Sequence, residues 1–152
     1  MMPAQTLRTL RKLAALSRRE WTDLLSAQLA LIQTEWRVKR APVGGLAVRD
    51  ASAGSAPAGD AARARELARA VARAADHGVF RPYCLVRALT LQGMLRANGV
   101  QGSAVRVGVR RANGKFAAHA WVVWREEILG DVPEHVAQFE EVDDLRVVAD
   151  MP

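Results

Sequence analysis

A single cysteine, Cys84, is all the thiol this 152-residue chain contains, which excludes an internal disulfide and any zinc site built from several thiolates at short spacing. One unpaired thiol points to a reducing compartment. Lysine is scarce beside abundant Ala and Arg, a composition that favours helix and says little about function. Long hydrophobic runs are also lacking: the longest apolar stretch, Leu24 to Ile32, is broken by Ser26 and Gln28 and is far too short to cross a bilayer. The basic start, Met1 to Arg19, has neither the apolar centre nor the small-residue cleavage site of a secretory signal. A soluble, cytoplasmic protein is the expectation. What the chain does have is apolar bulk, half of its residues, enough for the core of one ordinary domain.

The net charge of +6 is unevenly spread, with 13 Lys/Arg against 6 Asp/Glu in residues 1–75 and 9 against 10 in residues 76–152. A positive field on the N-terminal half could attract nucleic acid, an anionic membrane surface or an acidic peptide, and charge alone does not choose among them. Solvated Arg on helix faces is the plainer account.

Leu7, Leu10, Leu13 and Leu16 recur at helical spacing, so the first segment reads as a short amphipathic helix. Ser17 then opens Ser-Arg-Arg-Glu, a capping-box pattern with Glu20 at the third helical position. The helix it starts should run from about Arg18 to Lys39 and bury Trp21, Leu24, Leu25, Leu29, Ile32 and Trp36 along one side, with Gln28 a further candidate for that face. Pro42 and Gly44-Gly45 stop it. Residues 1–47 thus form an N-terminal helical region, residues 48–59 a flexible Ala/Ser/Gly/Pro linker, and residues 60–152 the remaining core.

Asp60 can cap a third helix to about Asp76, with Leu67, Ala70, Val71 and Ala74 facing inward, Arg63, Arg65, Arg69 and Arg73 facing water, and Gly78 ending it. Pro82 suits the first turn of a fourth helix that would carry Leu85, Leu89, Leu91, Met94 and Leu95 to Asn98, with Gly99 at its C-cap. Cys84 falls in that first turn. After Gly102 the period changes to two: Val105, Val107 and Val109 share one strand face, and Arg106, Gly108 and Arg110 the other. Asn113-Gly114 signals a hairpin. The returning strand, about Lys115 to Trp124, places His119, Trp121 and Val123 on one face and Ala118, Ala120, Val122 and Trp124 on the other. A short strand around Ile128-Leu129 leads to Asp131. The tail from Glu126 onward holds nine acidic residues against Arg146 alone, with Val136, Phe139, Val142, Leu145, Val147 and Val148 as its apolar positions.

Three residues in this layout carry a chemical logic. A helix start favours negative charge through its free N–H groups and dipole, which suits a nucleophilic thiol at Cys84. A histidine on a strand packed against that helix can act as its base, and His119 has that context. A carboxylate on the neighbouring strand can hold the histidine's tautomer and stabilise its imidazolium, and Asp131 lies twelve residues on across a hairpin. Taken singly, each has a plainer reading: a lone cysteine on an apolar helix is usually core, and a strand histidine is usually structural. His77 and His135 are rival bases. His77 sits at a helix end, where it meets the last carbonyls, and His135 follows Pro133-Glu134 without a strand context. No further histidine remains for a dedicated zinc site, so neither a metal nor a cofactor is expected. Trp121 and Trp124 read as core or pocket wall, with Trp121 able to shield the Cys–His pair. Arg87, one turn after Cys84, reads as a solvated ion-pair partner or a contact for a bound peptide.

The run from Cys84 to Val100, the strand Ala104-Val-Arg-Val-Gly-Val and the motif Phe116-Ala-Ala-His-Ala-Trp-Val together resemble the transglutaminase-like cysteine peptidases of lasso peptide biosynthesis, between about Arg81 and Asp131. The resemblance implies an α+β transglutaminase-like core, in which the cysteine helix packs on a small antiparallel sheet, preceded by N-terminal helices. It places the family's catalytic residues on Cys84, His119 and Asp131. It further implies a leader peptidase acting on a ribosomally made lasso precursor peptide, with a separate leader-binding recognition protein and a lasso cyclase as partners and with no nucleic acid and no membrane span. Two alternatives stay open: a site of the same kind that passes the acylated cysteine to an amine, and a basic, non-enzymatic module that binds nucleic acid or an acidic partner and merely packs Cys84.

Overall fold

The computed structural model describes residues 8, 11, 12, 14–41 and 58–142. Leu7, Leu10 and Leu13 of the first expected helix, most of the 48–59 linker and the tail positions Leu145, Val147 and Val148 lie outside the described residues. Within them the order is α1 (Arg18–Arg40), α2 (Ala61–His77), α3 (Cys84–Ala97), β1 (Ala104–Ala112), β2 (Lys115–Trp124), β3 (Glu127–Leu129), α4 (Pro133–Val136) and β4 (Glu140–Glu141). No helix among the described residues is long and apolar enough to cross a membrane.

The Ser17 signal starts α1 as expected: its hydroxyl accepts from the Glu20 amide at 3.2 Å, and the Glu20 carboxylate accepts from the Ser17 amide at 2.8 Å. Those bonds from Ser17 hold the Glu20 carboxyl below its ordinary range. The buried face, however, is not the one the large residues trace. Asp23, Ala27 and Leu31 point inward, while Trp21, Leu25, Leu29 and Trp36 are 38%, 60%, 63% and 58% exposed. The reason lies on α2. Ala27 lets that helix approach closely, and Asp23 is drawn inside by Arg63, whose guanidinium donates to both its carboxylate oxygens at 2.5 and 2.8 Å and to Asn98 at 2.8 Å. Arg63 was expected in water; it is largely buried, and its charge is reinforced first by Asp23.

Asp60 caps α2 by accepting from the Ala62 amide, and Leu67, Ala70, Val71 and Ala74 are buried as their spacing predicts. Pro82 precedes α3 instead of entering it, and the cap at the other end is Asn98, with Gly99 one residue beyond at φ +78°. α3 is covered on nearly every side: Val86, Ala88, Leu91 and Leu95 meet the α1, α2 and sheet residues of one core, and Gln92 answers its own burial by donating to the Ser103 carbonyl at 3.0 Å.

The sheet has the order β3-β2-β1-β4, antiparallel throughout. Val105 and Val107 of β1 join Ala120, Val122 and Trp124 of β2 beneath the helices. Asn113 and Gly114, both at positive φ, make the two-residue turn between Ala112 and Lys115. A second two-residue turn, Arg125-Glu126, also lies at positive φ and carries the chain straight into β3.

Candidate active site

The three candidate residues come from a helix start, the middle of a strand and the turn after the next strand. Cys84 is the first residue of α3, half-buried against the core, and its N-cap, Tyr83, contributes no side-chain bond. The amides of the first turn are therefore free to serve an anion at the thiol or beside it. His119 stands on β2 opposite Gly108 of β1. Its other flank is open, because β3 pairs only with Val122, Val123 and Trp124. After Leu129, Gly130 turns the chain at φ +76° and delivers Asp131 to that open flank.

There the Asp131 carboxylate meets His119 Nε2 in a short hydrogen bond, both side chains being largely buried. The other carboxylate oxygen accepts from the Val132 amide at 2.7 Å, which fixes its orientation. With Nε2 engaged, Nδ1 is the ring nitrogen left for another partner. Three rings hold the imidazole in place: Trp121 stacks at 6.1 Å, Phe139 lies at 5.1 Å and His135 meets it edge-on at 4.7 Å. Gly108 permits this packing, since the space a Cβ would fill there is occupied by Phe139 and Trp121.

Cys84, His119 and Asp131 line one cavity of about 250 Å³, whose walls include Val71, Ala88, Leu91 and Trp121, with Arg87 at one side. No hydrogen bond joins the thiol to the histidine; the two groups share the cavity, an arrangement that commonly tightens only around a substrate. Arg87 pairs with Asp76 at 3.2 Å. Trp124, the other tryptophan read as core or wall, is fully buried and donates to the Gln101 carbonyl.

Of the two rival histidines, His77 is exposed at the end of α2 and His135 is in the cavity wall. The sequence reading set His135 aside for want of a strand, and it missed Phe139 as a neighbour of the histidine. Both arrive through α4, a single turn begun by Pro133 that brings the following residues back to β1, where Glu140 and Glu141 pair with Val109 and Gly108. The one local signal was Pro133 itself, a helix-starting residue. One potential ligand atom from each of His119, Asp131 and His135 lies within 4.8 Å of the others, a proximity that spacing along the chain does not reveal.

Comparison with curated proteins and with solved structures gives no match. The comparison with protein families gives one, the transglutaminase-like superfamily, over residues 27–143, which takes in part of α1, all of α2 and α3, the whole sheet and every residue of the cavity. That superfamily includes cysteine peptidases and acyltransferases. A cysteine at the start of a buried helix, a sheet histidine bonded to a carboxylate and a match over well more than half of the sequence lead to one conclusion: this chain belongs to the transglutaminase-like superfamily.

Proposed function

We propose that this protein is a cytoplasmic cysteine peptidase that removes the leader from a ribosomally made lasso precursor peptide, with Cys84 as nucleophile, His119 as base and acid, and Asp131 as the group that orients His119. The observation that carries the reading is the sharing of one cavity by the α3 cysteine and the His119–Asp131 pair. The lasso assignment rests on the motifs around Cys84 and His119, and with it come a separate leader-binding protein and a cyclase that takes the freed core peptide.

In the reaction, His119 Nδ1 takes the proton from Cys84 Sγ, and the sulfur attacks the scissile carbonyl carbon. The backbone N–H of Cys84, free at the helix start, supplies one donor to the oxyanion. The imidazolium, stabilised by Asp131, returns its proton to the leaving amine as the C–N bond breaks and leaves a thioester. Water then attacks the thioester, His119 accepts its proton, and the acid departs as the thiol re-forms.

The test is mass spectrometry of the precursor peptide incubated with its leader-binding partner and this protein. Cleavage at a single bond, abolished by Cys84→Ala and by His119→Ala, is the expected result. A crosslinked product in place of two fragments assigns the site to acyl transfer, and cleavage that survives Cys84→Ala removes the thiol from the mechanism.

A further inference from the structure

The reaction proposed above uses three side chains and leaves a fourth, His135, without a task. Its imidazole is half-buried, set edge-on against His119 at 4.7 Å and against Phe139 at 5.4 Å, yet neither ring nitrogen has a hydrogen-bond partner among the described residues. An imidazole held among other rings without a hydrogen-bond partner keeps its lone pair available to a ligand. It stands beside the His119 ring and the Asp131 carboxylate, and one potential ligand atom from each of the three residues lies within 4.8 Å of the others.

Two imidazoles and one carboxylate form a borderline donor set, suited to zinc and its neighbours and poor for magnesium or calcium, which require mostly oxygen. Zinc binds such atoms at about 2.0–2.2 Å, so tetrahedral ligands stand roughly 3.4 Å apart. The pairs have to close by at most about 1.4 Å, a displacement that rotation of the His135 side chain on its one-turn helix can supply, while the short His119–Asp131 hydrogen bond opens to admit the ion. Asp131 is already oriented by the Val132 amide, the kind of outer support that metal-binding carboxylates use. All three residues line the cavity that Cys84 also lines.

We propose that His119, Asp131 and His135 form a binding site for a zinc-class divalent cation, and that its occupation silences the thiol chemistry. The binding claim stands on the cluster alone; the silencing rests on the peptidase reading. Its proton accounting is simple. A cation on Nε2 confines the ring proton of neutral His119 to Nδ1, so the nitrogen that would accept the Cys84 proton is already protonated, and Asp131 is drawn to the metal.

The experiment is calorimetric titration of the Cys84→Ala protein with zinc chloride, in which the thiol cannot contribute. One ion per chain is expected, with binding weakened at least about tenfold by His135→Ala and by Asp131→Asn and unchanged by His77→Ala. His135→Phe keeps a ring against Phe139 while removing both donor atoms, and it should lose affinity as His135→Ala does. Equal affinity in the two His135 variants and the parent, or loss on His77→Ala, overturns the site. In a separate arm, zinc that binds wild type but leaves precursor cleavage unaffected overturns the silencing, and because that arm needs cleavage to be seen first, its failure is distinct from failure of the peptidase reading.

Discussion

Replacing Gly108 by alanine should damage the site without touching it. Gly108 is not at positive φ, so the substitution carries no backbone strain and its whole cost is contact. The new Cβ would stand 2.8 Å from Phe139 Cβ, 2.8 Å from Trp121 Cη2 and 3.0 Å from the Glu140 carbonyl oxygen. Carbon atoms in contact normally sit about 3.5–4.0 Å apart, so the two carbon neighbours must retreat by roughly 1 Å. The carbonyl cannot yield easily, because Glu140 and Glu141 are paired with β1. The rings must move, and both rest on His119. Overpacking of this size costs about 1–3 kcal/mol, which in a domain of this length lowers Tm by roughly 2–12 °C. A shift of about 1 Å in catalytic geometry can cost on the order of 100-fold in rate. Thermal unfolding followed by circular dichroism gives the first number, and the initial rate of precursor cleavage below Tm gives the second. An unchanged Tm together with an unchanged rate would refute the claim that Phe139 and Trp121 hold His119 in position.

Gly93→Ala is the matching control: its Cβ meets nothing within 4 Å on α3, and relief of helix entropy should raise stability by about 0.5–1 kcal/mol in denaturant titration. Arg63→Met leaves the Asp23 carboxylate, only 8% exposed, without its main partner and should cost about 3 kcal/mol, much of it recovered in the double variant with Asp23→Leu, as urea midpoints would show. At the surface, the Arg65 guanidinium hydrogen-bonded to Glu127 at 2.8 Å holds that carboxyl below its ordinary value of 4.5. A lowered folded-state pKa stabilises the protein above the ordinary value and loses that contribution as pH falls through the folded one. Glu127→Gln should therefore flatten the stability curve on the acid side and leave its slope near neutrality unchanged, an effect that added salt diminishes.

Local chemistry was enough for the elements that frame the site. The Ser17 box, the Asp60 cap and the Asn113-Gly114 turn each involve groups a few residues apart, and the limits of α2 and β2 follow from them and from alternation. Cys84 at a helix start and His119 on a strand were legible for the same reason, and Asp131 was reachable because a tight turn leaves a short strand few places to go. Partners distant in sequence decided the rest. α1 offers two stripes, one bulky and one of Asp23, Ala27 and Leu31, and periodicity ranks them by hydrophobicity alone. Arg63, forty residues away, makes the second one the inner face by supplying the countercharge that lets Asp23 be buried. His135 and Phe139 carry no local mark of function. They join His119 only because the pairing of Glu140 and Glu141 with β1 draws the chain after α4 back to the sheet, where the missing side chain of Gly108 leaves room for them.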